Sequence, residues 1–397
     1  MSDESNNHVT PTFIREVEWP YKYAVVISDL HLGVRNASEQ WLENIKGFFY
    51  NWFIPDVLKP LVKTYGKDGV CLFVLGDVFD DRKNINIEVN ETAISIFEGL
   101  SNVINVYAIT GNHDLYKKTN VGATSLRSLS NIPGVVIYKE PTLIKIAKNK
   151  GAGWEAQHIA VPYLGDIAEE NRVVTTHSGK CVSAFLHTDI AKMSYDNGRS
   201  IMSGVSPDAF KGHIWSGHIH KRQENKNVTY IGSPYQLTRS DIGNEKGVYV
   251  VNLYTGEKET FIPNTYSPMF LQVPIETYMG MTEDQRRTLL NDNYIDITIP
   301  ESSLGKYDLN EIYEFSATTE TKKVTVMVNR TEQDNKLLES VNVDSEEEIS
   351  ESDRGVERLI ELSIESLDVC DEDKDELKKM SASYMKAARQ EHADSII

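Results

Sequence analysis

Five short polar clusters stand at the ends of apolar runs in this 397-residue chain. The run from Tyr23 leads into Asp29-Leu30-His31, and the run from Val70 into Gly76-Asp77-Val78-Phe79-Asp80. The run from Val103 leads into Gly111-Asn112-His113-Asp114, and the run from Val182 ends in His187. Trp215-Ser216-Gly217 leads into His218-Ile219-His220. In Asp29-x-His31 and His218-x-His220 the two-residue period of an extended chain predicts side chains on one side. Asp29, His31, Asp77, Asn112, His187, His218 and His220 then form a seven-donor set, enough for two ions if one carboxylate bridges. Asp77 is the expected bridge, because it is central in the order and its glycine neighbour lets backbone come close. Imidazole, carboxylate and amide oxygen favour Mn²⁺, Fe²⁺ or Zn²⁺. Two such ions about 3.5–4 Å apart can activate water and stabilise both oxygens of an in-line phosphoryl displacement. His113 adjoins a ligand and is placed to act as general acid or to steady a phosphate. Asp80 is expected to accept a hydrogen bond from His113 and hold its tautomer.

Each cluster alone has a bland reading. Gly-Asn-His-Asp is also a turn composition, and His187 alone could be a core histidine, with His177 the alternative for its position. His158, His177 and His213 read as structural or surface residues. What carries the reading is the joint pattern: an apolar run before every cluster, in an order that leaves no ligand missing.

The apolar runs must supply the framework. Runs at 23–28, 70–75, 103–110, 158–163, 182–186, 213–216, 228–231 and 247–253 read as strands, and 92–100 as a helix. Ser38 is expected to cap a helix with Trp41, Ile45 and Phe48/Phe49 on one face. Strands separated by helices indicate an α/β domain ending near residue 263, and in open α/β sheets ligands gather beyond the carboxyl ends of the strands. Residues 281–293, 294–299, 309–318 and 323–329 read as helix, strand, helix and strand, a small α+β unit. The expected organisation is a flexible arm over 1–20, the main domain over 21–265 and a capping unit over 266–330. An acidic linker follows over 331–353, then a helical segment over 354–397 whose two short apolar faces require a partner.

Composition narrows the class. Lys and Arg number 41 against 59 Asp and Glu, a net charge of −18. Residues 331–397 hold 20 acidic and 8 basic residues, so −12 of that charge belongs to the tail and −6 to the body. No apolar stretch is long enough to span a bilayer, and residues 1–9 do not resemble a secretory signal. Three cysteines cannot form a disulfide framework, the lack of a CxxC argues against a thiolate zinc site, and Cys71 and Cys181 read as core residues of a reducing compartment. The cytoplasm is the expected location.

The five clusters together resemble the signature of the calcineurin-like metallophosphoesterases: Asp-x-His, Gly-Asp-x-x-Asp, Gly-Asn-His-Asp/Glu, a single His, and Gly-His-x-His. The resemblance implies a β-sandwich flanked by helices. It implies Asp29, His31, Asp77 and His220 around one ion, Asp77, Asn112, His187 and His218 around the other, and His113 as catalytic histidine. Tyr230-Ile-Gly-Ser-Pro-Tyr-Gln-Leu-Thr and Asn244-Glu-Lys-Gly-Val-Tyr-Val further resemble the SbcD-type repair nucleases. Trp215-Ser-Gly-His-Ile-His, Glu259-Thr-Phe-Ile-Pro-Asn264 and the ending Asp371-Glu-Asp-Lys-Asp-Glu-Leu are similar to the nuclease subunits of T-even-like phage recombination endonucleases. That branch implies two Mn²⁺ ions, with Mg²⁺ the alternative. It also implies double-stranded DNA ends as substrate, a homodimer, and an SMC-like (SbcC-type) ATPase bound by the C-terminal helices. Where archaeal and eukaryotic members carry histidine, this chain has Asp80.

The expected function is a Mn²⁺-dependent double-strand exonuclease with single-strand endonuclease activity, acting in recombination and end processing. Gly76-Asp-Val-Phe-Asp-Asp-Arg82 keeps a phosphomonoesterase as the alternative, and a non-catalytic DNA-end-binding subunit is the third reading. Arg35, Lys117, Lys118, Lys221, Arg222 and Arg239 lie near the motifs and are candidate phosphate contacts. The charge of the body predicts weak DNA affinity by the chain alone, with the ATPase supplying much of the binding.

Overall fold

The computed structural model describes residues 13–117, 120–147, 153–329 and positions 374, 378, 379 and 381. Apart from those four positions, the acidic linker and the C-terminal helical segment lie outside the described residues. The chain divides into two units, Met1–Asn329 and Arg330–Ile397, and the fold below belongs to the first.

Two sheets dominate it. One has the strand order Lys258–Pro263, Gly247–Asn252, Tyr23–Ile27, Val70–Leu75, Val106–Ile109, Val135–Tyr138. The other has the order Arg15–Trp19, Thr142–Ala147, Trp154–Val161, Ser183–His187, His213–Gly217, Val228–Tyr230, Gln223–Asn225. The sequence explains why they stack. Along Val70–Leu75 every residue is buried, yet Val70, Leu72 and Val74 join one apolar cluster while Cys71, Phe73 and Leu75 join another. Tyr23–Ile27 alternates the same way. In the facing sheet, Phe185 and Trp215 enter the second cluster, while Ala184, Leu186 and Ile214 enter a third. A strand apolar on both faces must be covered on both. The cluster holding Phe73, Phe185 and Trp215 is therefore the layer between the sheets. Helices cover the two outer faces, giving a β-sandwich flanked by helices.

The helices are specified locally. Asn86 caps Ile87–Val103 through its side-chain oxygen and Asp166 caps Ile167–His177 the same way. Glu39–Gly47 buries Trp41, Leu42 and Ile45, then runs into a π-helical stretch, Phe48–Leu58, that accommodates Pro55 and buries both Phe48 and Phe49. Ser38 precedes this helix but makes no side-chain cap.

The sites depend on strand direction. Tyr23–Ile27, Val70–Leu75 and Val106–Ile109 run parallel, as do Trp154–Val161, Ser183–His187 and His213–Gly217. Their carboxyl ends therefore open on one edge of the sandwich.

A third sheet, Phe270–Pro274, Tyr294–Pro300, Lys323–Asn329, is parallel and has its own apolar cluster around Ile275, Leu290, Ile297 and Ile312. It joins the sandwich through stacked rings: Trp41 lies 6.0 Å from Phe270 and 5.5 Å from Tyr294, centroid to centroid.

Several boundaries differ from expectation. The arm expected over 1–20 is corrected at its end, because Arg15–Trp19 is an edge strand paired in parallel with Thr142–Ala147. Strands Val135–Tyr138, Thr142–Ala147 and Phe270–Pro274 had no counterpart in the sequence reading. The helix expected over 92–100 runs Ile87–Val103, so the following strand starts only at Val106.

Candidate metal centre

All seven expected donors meet at the common edge of the two sheets. Asp29, Asp77 and Asn112 follow strands of one sheet; His187, His218 and His220 end or follow strands of the other. Asp29, His31 and His220 bring ligand atoms within 4.8 Å of one another, as do Asp77, His187 and His218. His177 is not among them: its Nδ1 donates 2.8 Å to the Val173 carbonyl within its own helix. His158 is buried between Ser183 and the Leu253 carbonyl, and His213 contacts Thr229.

The candidate donors depart from the pleat that a two-residue period predicts. Asp29, His31, Asp77 and His218 have φ of 54°, 45°, 52° and 88°. Left-handed backbone costs a non-glycine residue roughly 1–2 kcal/mol, and such strain concentrates at functional sites. Close backbone packing permits it. A Cβ on Gly111 would fall 2.1 Å from Asp77 Oδ1, and one on Gly217 would fall 2.0 Å from Ser28 Oγ.

Hydrogen bonds fix which nitrogen each ring offers. His187 Nδ1 donates 2.6 Å to the Leu75 carbonyl. Its Nε2 then faces Asp77 Oδ2 at 3.2 Å and Asn112 Oδ1 at 3.1 Å. His31 Nδ1 donates 3.0 Å to Asp80 Oδ1, and its Nε2 meets His220 Nε2 at 3.0 Å. His218 Nδ1 lies 2.8 Å from the same Asn112 oxygen.

With neither a proton nor an ion between them, these contacts would set lone pair against lone pair, an arrangement that a cation satisfies. The electrostatics agree. Burial opposes charge on His187, yet the Asp77 carboxylate holds the protonated ring stable up to about 10. Burial likewise works against the Asp77 charge, but His187 and His31 hold its carboxyl well below the ordinary range. Positive charge is wanted between these groups, and the nitrogen and oxygen donor set fits divalent first-row metals.

A family model for calcineurin-like phosphoesterases matches residues 23–222, half of the chain and the span that holds every one of these donors. The chain belongs to the calcineurin-like phosphoesterase family. It is also 29% identical over 249 residues to exonuclease subunit 1 of Enterobacteria phage T4, covering 60% of this chain. That match spans 66% of the relative's length, just under two thirds. The family uses divalent metals, and the described residues hold the His/Asp groups to bind them.

Around this metallophosphoesterase site, one expected contact is different. The Asp80 carboxylate turns to His31, and it is the Asp80 backbone carbonyl that receives His113 Nδ1, at 2.6 Å. A carbonyl only accepts, so Nδ1 carries the proton and Nε2 is the His113 atom left for a substrate. The backbone N–H of His113 also donates 2.8 Å to Asp77 Oδ1, tying the histidine to the central carboxylate.

Several supporting residues lie outside the expected donor set. Asp114, buried, accepts N–H groups from Asp77, Val78, Phe79 and Gly111 at 2.9–3.3 Å, locking two ligand loops together. Burial and the Asp77 charge push its carboxyl up to about 7. Asp189 lies 3.3 Å from His218 Nε2, and Asp196 3.6 Å from His220 Nδ1. Buried Lys246 donates to the His220 carbonyl at 2.5 Å and to Asp241 at 2.6 Å. The fourth position of Gly-Asn-His-Asp was the available signal for Asp114; the others are joined to the site only by the fold.

The basic candidates divide. Arg35 donates to the Leu237 carbonyl and stacks on Trp41 and Phe270, 4.9 and 5.4 Å from the ring centroids. Arg239 clasps the buried Asp296 carboxylate with two hydrogen bonds. Arg222 pairs with Glu245 and lies over Phe261. Lys117 is exposed, and Lys221 has no side-chain partner among the described residues. Lys118 lies outside them.

Proposed function

We propose that the chain is a two-metal DNA nuclease, a Mn²⁺-dependent double-strand exonuclease with single-strand endonuclease activity. The carrying observation is the convergence of seven metal-donor residues from two sheets beside a histidine with a fixed tautomer. The likeness to an exonuclease subunit supports DNA as substrate. Asp29, His31, Asp77 and His220 would hold one ion, and Asp77, Asn112, His187 and His218 the other, Asp77 bridging. When bound, the pair supplies an activated water and neutralises charge developing on the phosphoryl group. The protein's own part is orientation and proton handling. Asp80 steers His31, and Leu75 steers His187. His113 presents Nε2 to the departing oxygen, to protonate it or to bind a phosphate oxygen. The relative's designation as a subunit supports a partner protein, which we take to be an SMC-like ATPase bound through residues 354–397. A homodimer through the nuclease domain and a cytoplasmic location complete the reading.

The test is nucleotide release from end-labelled linear duplex with Mn²⁺ or EDTA. Release is expected with Mn²⁺ alone, falling about 10²–10⁴-fold in His113→Ala with metal content unchanged. An intact duplex alongside fast hydrolysis of a simple phosphate monoester would overturn the nuclease reading in favour of a phosphomonoesterase.

A further inference from the structure

Beside the metal centre lies a pocket of about 360 Å³, a size within the range of about 300–1,000 Å³ that holds small ligands. Asp80, whose carboxylate holds His31, forms part of its wall, so the pocket adjoins the candidate metal centre. Its floor includes Phe79 and Val89, and its rim includes Asn36, Asn84 and Asp81.

Three features of the lining select the occupant. First, no lysine or arginine lines it, while Asp80 and Asp81 do, so it repels a phosphate. The nearby Arg35 is turned away to Leu237 and Trp41. Second, the side-chain amides of Asn36 and Asn84 make no hydrogen bond among the described residues. Each presents both donors and an acceptor, which suits the edge of any base. Third, the wall carrying Asn36 is held in an unusual shape: Arg35, Asn36 and Ala37 are consecutive left-handed residues, with φ of 58°, 56° and 56°. Strain of that kind survives where surrounding structure enforces it, and it clusters at ligand clamps.

We propose that this pocket is a nucleobase subsite, receiving the base of the nucleotide whose phosphate lies on the metal centre. The proposal rests on the nuclease reading and deepens it. An apolar floor with flippable amides holds a base without choosing among the four, as a sequence-tolerant exonuclease requires. It also means that a terminal nucleotide is unstacked from its duplex before cleavage.

The test is calorimetric titration of the full chain in Mn²⁺. The probes are the four deoxynucleoside 5′-monophosphates and 2-deoxyribose 5-phosphate, which keeps the phosphate and sugar and lacks the base. Each nucleotide is expected to bind at least about ten-fold more tightly than the sugar phosphate. Combining Asn36→Gly, which suits the positive φ, with Asn84→Ala is expected to remove that advantage. Affinity for the sugar phosphate and metal content should stay unchanged. Equal binding of nucleotides and sugar phosphate, or an advantage that survives both substitutions, overturns the subsite. So does a result in which a lysine-rich peptide binds the acidic rim and nucleotides show no advantage, which would assign the pocket to a protein partner. Duplex cleavage is scored separately. Cleavage without a nucleotide advantage fails the pocket alone, and a nucleotide advantage without cleavage fails the nuclease reading alone.

Discussion

Asp80 serves two histidines with two different groups, its carboxylate to His31 and its backbone carbonyl to His113. The roles should therefore separate. Asp80→Ala removes the group that orients His31, a proposed metal ligand, and leaves the His113 tautomer in place. Metal affinity is expected to fall about 10–100-fold, with turnover recovering at saturating Mn²⁺; a metal titration of the rate reads both. His158 gives a pH prediction away from the metals. Burial pushes its pKa down to about 4 from an ordinary 6.5, so the folded state holds it neutral. Below pH 6.5 the unfolded chain takes up a proton that the folded chain refuses. The stability due to the neutral ring is thus present above pH 6.5 and lost as pH falls through about 4, a difference of roughly 3 kcal/mol. Denaturant midpoints should fall across that window in wild type and fall less in His158→Gln. The seven donors were legible at this scale because each follows an apolar run. The direction of the Asp80 carboxylate was not, since adjacency in sequence to Asp77 says nothing about which imidazole lies within reach.

Glycine at the loop after Ile109 is an element-scale requirement, because the Gly76-Asp77 and Gly111-Asn112 turns pass close enough to exclude a side chain. Gly111→Ala is expected to push Asp77 off its position and lower metal-dependent activity at least about 100-fold. Metal stoichiometry measured on the purified variant checks it and should fall below that of wild type. The strands that feed the site were readable from runs such as Val70-Cys-Leu-Phe-Val-Leu, which are apolar on both faces. Arg15–Trp19 was not, because an edge strand alternating charged and apolar residues looks like a polar arm until its neighbour Thr142–Ala147 is in view. Phe270–Pro274 is short and was hidden for the same reason: its partner, Tyr294–Pro300, lies some distance along the chain.

Seen over the whole molecule, the arginines nearest the motifs hold parts of the protein together. Arg35 and Arg239 join the sandwich to the small three-stranded sheet. Arg239→Ala is therefore expected to leave the salt dependence of DNA binding unchanged, whereas Lys221→Ala should lower the log–log slope by about 1. Binding of the full chain to duplex at several salt concentrations separates the two. Charge adjacency in the sequence had grouped all six basic residues together; only the fold separates struts from free cations. The division of the metal donors between two sheets has a consequence in time. During synthesis, Asp29, Asp77 and Asn112 leave the ribosome well before His187, His218 and His220. A chain arrested partway, or one whose sheets have not yet closed on each other, owns half a lock. Phosphodiester-cleaving activity thus appears only at the end of folding, once the two sheets have brought their donors together.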